Sequence, residues 1–442
     1  MTSRQLPQSA VAEDSVLRPF RGLRYDPRHV DLVTATSQPL EATDTAGVAA
    51  ALDGNQYNVG WLVDPLLARS DAPHDAATVT KRLAEWRRTG VVRHDPVPAI
   101  YVYRQRRPGG QTLVGLIAAL SLDDAPERRL LAHEEVNPAV LARHVALLEA
   151  TAAQPEPVVL VHPGSSRLRD LLRTRSADKP TMTIIDGLAE HSVWRVADAA
   201  AVAAAADLAD APLLIADGHH RYAAFQRYRG ARGSSPRQAP WTYGLVMIVD
   251  ATDCGLVLGA FHRVVPTLDW SRVRVTPGLQ LQALPDEPAA MAYLRDGAAA
   301  PTRCVISDGT TWMAVEPLPA PAVADLAANE DPLASLAVAH LHHDWLPRWG
   351  VAERDLDYRS DSSLAVAAAR RSGGLAVLLP APPLDVVFAA ARQHRLLPPK
   401  STAFRPRPRL GMVMRHWPEG LDDLKAEARS PVRADAAGAA PG

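Results

Sequence analysis

The chain has 442 residues, 47% of them hydrophobic but only 5% aromatic, enough for the cores of two or three compact units packed mainly with leucine, valine and alanine. Its 48 basic and 49 acidic residues leave a formal net charge of −1, which argues against a protein devoted to nucleic acid, whose phosphates call for a basic surface. There is no apolar run of about 18 residues and no N-terminal stretch of signal-peptide type, and Cys254 and Cys304 have no CxxC spacing, so a cytoplasmic protein with no membrane association and no disulfide scaffold is expected.

Residues 1–16 read as a flexible tail and 421–442, small and polar, as a disordered one. Between them, 17–420 read as a mixed α/β (α+β) unit in which short apolar runs alternate with helical patterns. The pattern predicts a helix over 138–154, a buried strand over 157–163, a helix over 199–211 and a strand over 212–216. A third helix over 220–232 carries Tyr222, Phe225 and Tyr228 on its apolar face. "YGLVMIVDA" (243–251) and "GLVLGAFHRVVP" (255–266) read as strands paired around a turn at Thr252–Gly255. "RCVISDGTTWMAVEP" (303–317) reads as a hairpin about Asp308-Gly309. A helix over 332–350, stopped by Pro347 and Gly350, is followed by a strand in 375–382 and a helix in 383–395.

Three short stretches carry chemistry. The apolar run Leu213–Ala216 ends in Asp217, Gly218, His219, His220 and Arg221. Asp217 is placed at or near a helix N-cap, Gly218 permits a sharp turn, and the next three residues fill the first helical turn. Cationic side chains oppose the positive end of a helix dipole unless an anion sits there, so this turn invites a phosphate. "AHEEVNP" sets Glu134 ahead of a helix, where a carboxylate can act as a general base. "LPPKSTAF" offers Lys400, Ser401 and Thr402 behind two stiffening prolines, and lysine is otherwise confined to Lys81, Lys179 and Lys425. Taken alone, these are a helix cap, a solvated first-turn acid and an exposed turn. "HLHHD" (340–344) reads as a surface or core-edge helix rather than a metal site, and His262-Arg263 fits a cleft, a core or a surface turn equally.

The string "IADGHHRYAA" resembles the signature of the ParB/sulfiredoxin-like superfamily, in the version carried by free serine kinases. From "LRPFRGLRYDP" (17–27) through "QYNVGWL", "HEEV", "DGHHRY" and "LPPKSTAF" to "GMVMR" (411–415), the chain also resembles the bacterial family called domain of unknown function 1015. The resemblance implies a ParB/sulfiredoxin-like core around 130–265 with large additional α/β insertions and a motif region over 375–417. It implies a nucleotide-dependent phosphotransferase acting on a small hydroxyl metabolite, free L-serine or a related amino acid, with ADP or ATP and Mg²⁺. Catalytic roles then fall on Glu134, Asp217 and His220. Phosphate contacts fall on Gly218, His219, His220, Arg221 and Lys400, and substrate contacts on Lys400, Ser401 and Thr402; no metal ligand is assigned. The alternatives are a ParB-like nucleotide-binding regulatory or DNA-associated protein and a non-catalytic small-molecule binding module. No Walker A string occurs. Where sulfiredoxins carry a cysteine the chain has His219, and "TATSQPL" (34–40) replaces the Pro-Pro-Tyr-Asp segment of the wider family.

Overall fold

Apolar runs too long for one face of a sheet must be covered on both, and the fold is built on this demand. The structure is a computed structural model describing residues 16–417 apart from 40–48, 51, 64–75, 123–128, 199–200, 203–204, 206–207, 209–210, 234–238, 253–254, 297–301 and 319–330. Of the expected tails, 1–15 and 421–442 lie outside the described residues, as do Cys254 and most of the expected 199–211 helix. The class is mixed α and β, as the alternation of patterns predicts.

The larger sheet has nine strands. In chain order they are β1 (Leu17–Arg18), β2 (Ile100–Arg106), β3 (Thr112–Ser121), β4 (Leu130–Leu131), β5 (Val158–His162), β6 (Met182–Ile185), β7 (Glu190–Val196), β8 (Leu213–Asp217) and β9 (Tyr243–Asp250). Their spatial order is β4-β8-β5-β9-β3-β2-β7-β6, with β1 added to β3. All eight residues of β9 are buried, and both its edges are used, by β3 antiparallel and by β5 parallel. Helices α1 (Ala76–Arg88), α2 (Pro138–Thr151), α3 (Ser166–Ser176) and α4 (His219–Gly230) belong to this half. Asn137 starts α2 by accepting from the Ala139 and Val140 N–H groups, with Pro138 in the first turn where no N–H is missed.

The second sheet has six strands: β10 (His262–Val265), β11 (Leu279–Leu284), β12 (Cys304–Ser307), β13 (Trp312–Pro317), β14 (Asp357–Arg359) and β15 (Leu375–Leu378), in the order β11-β13-β12-β15-β10-β14. Helices α5 (Glu287–Asp296), α6 (Ser362–Ser372) and α7 (Leu384–Arg392) accompany it. One buried apolar cluster joins the halves, running from Tyr101 and Met247 through Val265 and Val377 to Trp345, Phe388 and Phe404.

Two expectations are corrected. The strands 243–251 and 255–266 do not pair with each other. Because β9 is already flanked on both edges, the chain leaves it: Val257–Gly259 pairs with Ala403–Arg405, and β10 joins the other sheet between β15 and β14. The helix over 332–350 is likewise not continuous. A 3₁₀ turn (Pro332–Ser335) leads into Ala337–His340, a π turn (Leu341–Trp345) and a last piece, Leu346–Arg348, that contains Pro347. Pro347 has no N–H for the regular ladder, and the widened turn absorbs the missing bond. The 303–317 hairpin forms as expected, β12 against β13.

The last described segment returns to the larger sheet. Leu397 N–H donates to His133 O at 2.8 Å, Ser37 and Leu410 form a bridge, and Arg415–His416 pairs with Ala153–Gln154. Inside the sheet β3 comes close to β9. A Cβ on Gly115 would stand 2.5 Å from Met247 Cε, 2.9 Å from Val249 Cγ1 and 3.0 Å from Ile248 O. Gly115→Ala is therefore expected to destabilise the chain by about 1–3 kcal/mol, as overpacking of a tight core does; urea denaturation checks it, and an unchanged midpoint would contradict this packing.

Candidate functional site

Burial at β8 is nearly complete, with Leu213, Leu214 and Ile215 at 0% exposure. The strand ends at Asp217, and α4 begins directly after Gly218. The cap residue is Gly218, at φ 97°, with Asp217 directly before it, near the cap as the sequence suggests. Glycine is required there twice over. Its φ is left-handed, and a Cβ would lie 2.8 Å from the Arg221 guanidinium folded above it. Gly218 offers no side-chain cap to the first N–H groups of α4, which leaves this helix end able to face an anion.

The charge conflict expected in the first turn is resolved within the chain. Arg221 pairs with Glu156 at 2.6 Å and with Asp217 at 2.9 Å, and Arg407 meets the same two carboxylates at 3.5 and 3.3 Å. Burial pushes the Asp217 carboxyl up, but the Arg407 and Arg221 guanidiniums outweigh it and hold the carboxyl well below its usual range. Glu156 moves the other way, because burial exceeds the pull of the same arginines. Burial holds the His219 imidazole down at about 4, against the opposing field of Asp217. His220 is lowered too, by burial and then by Lys400. Both rings are therefore neutral at neutral pH. The first turn does not by itself demand a phosphate.

His220 Nε2 accepts from the Asn137 N–H at 3.0 Å. In the neutral ring that places the proton on Nδ1, as a donor. His219 Nε2 accepts from the His133 N–H at 3.4 Å, and the two imidazoles meet edge to face at 4.6 Å. Thr402 Oγ1 donates to Glu134 Oε1 at 3.1 Å and lies 2.8 Å from His133 Nε2. Glu134 also pairs with Leu397 in a parallel bridge. Burial raises the Glu134 carboxyl above its ordinary 4.5, with Lys400 and Thr402 opposing and Asp217 adding to the rise. Glu134, Asp217, His219, His220 and Lys400 thus act on one another electrostatically. Ser401 is turned inward instead, donating to Pro398 O at 2.5 Å.

Lys400 is exposed and has φ 55°, rare for a residue with a Cβ. What holds it there is Arg263, at 0% exposure. Arg263 donates to Pro399 O at 2.8 Å, Lys400 O at 2.9 Å, Phe261 O at 2.6 Å and His342 Nε2 at 3.1 Å. Its guanidinium stacks on Tyr358, and burial lowers its pKa to about 10. His342, from the "HLHHD" string, is therefore an acceptor for a buried arginine. Among the described residues no group of His, Cys, Asp or Glu is set to hold a metal. The "TATSQPL" segment lies elsewhere: Gln38 donates to Asp186, which also binds Arg409 and His191 beside a cavity of about 390 Å³.

The sequence marks Glu134, Asp217–Arg221 and the 398–402 loop as candidates, but not Glu156, Arg407 or the carbonyl contacts of Arg263. Glu156 stands between two prolines with no local pattern to mark it, and Arg407 is one of several arginines among prolines.

The sequence profile of the family described as "Protein of unknown function (DUF1015)" matches residues 17–303, more than half of the chain. The chain belongs to this family. The matched span holds Glu134 and Asp217–Arg221 and ends before Lys400. No curated protein matches the chain. Among solved structures, a conserved hypothetical protein from Pyrococcus furiosus is 16% identical, with 66% of this chain and 93% of that chain covered and a TM-score of 0.34. A free serine kinase in complex with AMP is 14% identical, with 68% and 91% covered and a TM-score of 0.35. SbnI with a C-terminal truncation, from Staphylococcus aureus, is 11% identical, with 66% and 84% covered and a TM-score of 0.33. Likenesses of this size do not extend to activity.

A carboxyl whose folded pKa is raised binds its proton more tightly in the folded chain. Its contribution to stability falls as pH rises from the ordinary 4.5 through the folded value. Glu134→Gln should therefore raise the Tm at pH 8, with the gain vanishing below pH 4.5; calorimetry at both pH values checks this. Arg263→Lys keeps one charge but loses the fork to two carbonyls, and is expected to speed amide exchange over 399–402 at least tenfold, at about 1.5 kcal/mol per lost charged hydrogen bond.

Proposed function

We propose that the chain is a nucleotide-dependent phosphotransferase acting on a small hydroxyl metabolite, free L-serine or a related amino acid. The observation that carries the reading is the set of Glu134, Thr402, Lys400 and His220 around the open N-terminus of α4. Phosphoryl transfer asks a protein mainly for positioning and charge stabilisation, and this set offers both.

Glu134 takes the proton of the acceptor hydroxyl, helped by a carboxyl whose affinity for protons is already raised. Lys400, exposed on a rigid loop, meets phosphate as a point charge. His220 donates through Nδ1 as a neutral ring, and the α4 N–H groups face the same anion. Arg221 and Asp217 serve from behind: with Glu156 and Arg407 they fix the turn that presents Gly218–His220. ADP or ATP fits these donors, since the helix end has no cap of its own. Mg²⁺ held by the nucleotide's own oxygens would neutralise phosphate charge, and the described residues hold no ready-made metal cluster to compete with that arrangement.

Phosphorus NMR of the purified chain with Mg²⁺, L-serine and either ADP or ATP is expected to show phosphoserine. Glu134→Ala should slow its appearance about 10²–10⁴-fold, the usual worth of a general base. Absence of any phosphorylated product with serine and with other small hydroxy amino acids, under both nucleotides, would sink the reading.

A further inference from the structure

Thr402 Oγ1 lies between two groups with strict requirements. On one side, 3.1 Å away, is Glu134 Oε1, which when ionised can only accept. On the other, 2.8 Å away, is His133 Nε2. A hydroxyl has one proton. If it goes to the carboxylate, the hydroxyl oxygen must accept from His133, and His133 must carry its proton on Nε2. His133 is at 0% exposure, packed against His219 and Phe404. Its Nδ1 is buried and has no hydrogen-bond partner among the described residues. The opposite tautomer would bury a lone N–H donor there and set two acceptors against the hydroxyl's one proton. One tautomer satisfies the chain His133–Thr402–Glu134.

We propose that Thr402, oriented by His133, is a positioning residue for Glu134 and does not contact the substrate: its hydroxyl holds Oε1 in place and leaves Oε2 to the acceptor hydroxyl. The proposal rests on the reading of Glu134 as the base. It replaces the substrate-binding role that the sequence assigns to Thr402. The Thr402 backbone N–H faces the same carboxylate, so removing only the hydroxyl tests the side chain alone. The other charged or titratable groups facing Glu134 are Lys400 on the same loop, Asp217 at the end of β8, His220 on α4 and Arg263 on β10. All of them are kept in the variants below.

The first measurement needs no turnover. The carboxyl carbon of Glu134 in the ¹³C-Glu-labelled full chain, assigned through Glu134→Gln, is titrated in wild type, Thr402→Val and Thr402→Ser. Loss of a hydrogen bond to the charged form should move the midpoint up in Thr402→Val, and Thr402→Ser should restore it. Long-range ¹H–¹⁵N spectra should show His133 as the Nε2–H tautomer at pH 7. An unmoved midpoint, or an Nδ1–H tautomer, overturns the proposal whether or not the chain is a kinase. With serine turnover in hand, Thr402→Val should lower kcat/KM about tenfold on the acid side and little at high pH. A rise in KM for serine at every pH would instead mark Thr402 as a substrate contact and overturn the proposal. A wild type that yields no product, alongside the expected midpoints and tautomer, would fail the kinase reading alone.

Discussion

A buried guanidinium that pairs with no carboxylate among the described residues joins the two halves of this protein at the candidate site. Arg263 belongs to the six-stranded sheet, yet its donors are spent on the carbonyls of Phe261, Pro399 and Lys400 and on His342. An unpaired charge in the interior is costly, and backbone carbonyls in a fixed array are one of the few ways to compensate it. That array needs the loop in one conformation. The left-handed Lys400 backbone, the inward turn of Ser401 and the reach of Thr402 to Glu134 all follow from it.

Beneath the site, two arginines and two carboxylates meet, Glu156 buried and the other three half-buried. Glu156, Asp217, Arg221 and Arg407 balance in charge, and they come from β5's approach, β8, α4 and the C-terminal segment. With this cluster neutral overall, the residues above it set the local field. Two imidazoles kept neutral by burial, one exposed lysine and one carboxyl with raised proton affinity leave the site with few fixed charges.

Much of this was legible in the sequence where the physics is local. Four apolar residues before Asp-Gly predict a buried strand followed by a sharp turn, and β8, Gly218 and α4 lie where that pattern puts them. The Asp308-Gly309 hairpin has the same character. The failures are those of long-range pairing. Nothing inside 243–266 shows that β9 has both edges occupied, so adjacent strands looked like partners. Pro347 looked like a stop because a π turn a residue earlier has no sequence signature of its own. Asp217 lies next to the cap as expected, but what its carboxylate does there was not legible: it accepts from Arg221 and Arg407, one of them 190 residues away.

The hydrogen bond between His133 and Thr402 closes a loop of 269 residues. On a ribosome the strands and helix that carry Glu134 and Asp217 are made long before their partners Arg407, Lys400 and Thr402. Until then a nascent chain holds Asp217 and Glu156 with one arginine between them, and Glu134 with no donor from the loop. Loop-closure entropy grows only slowly with length, so the final docking is thermodynamically cheap even though it comes late. The site is thus completed last: the contacts of Leu397 with His133 and of Thr402 with Glu134 can form only once the chain has been made past residue 402.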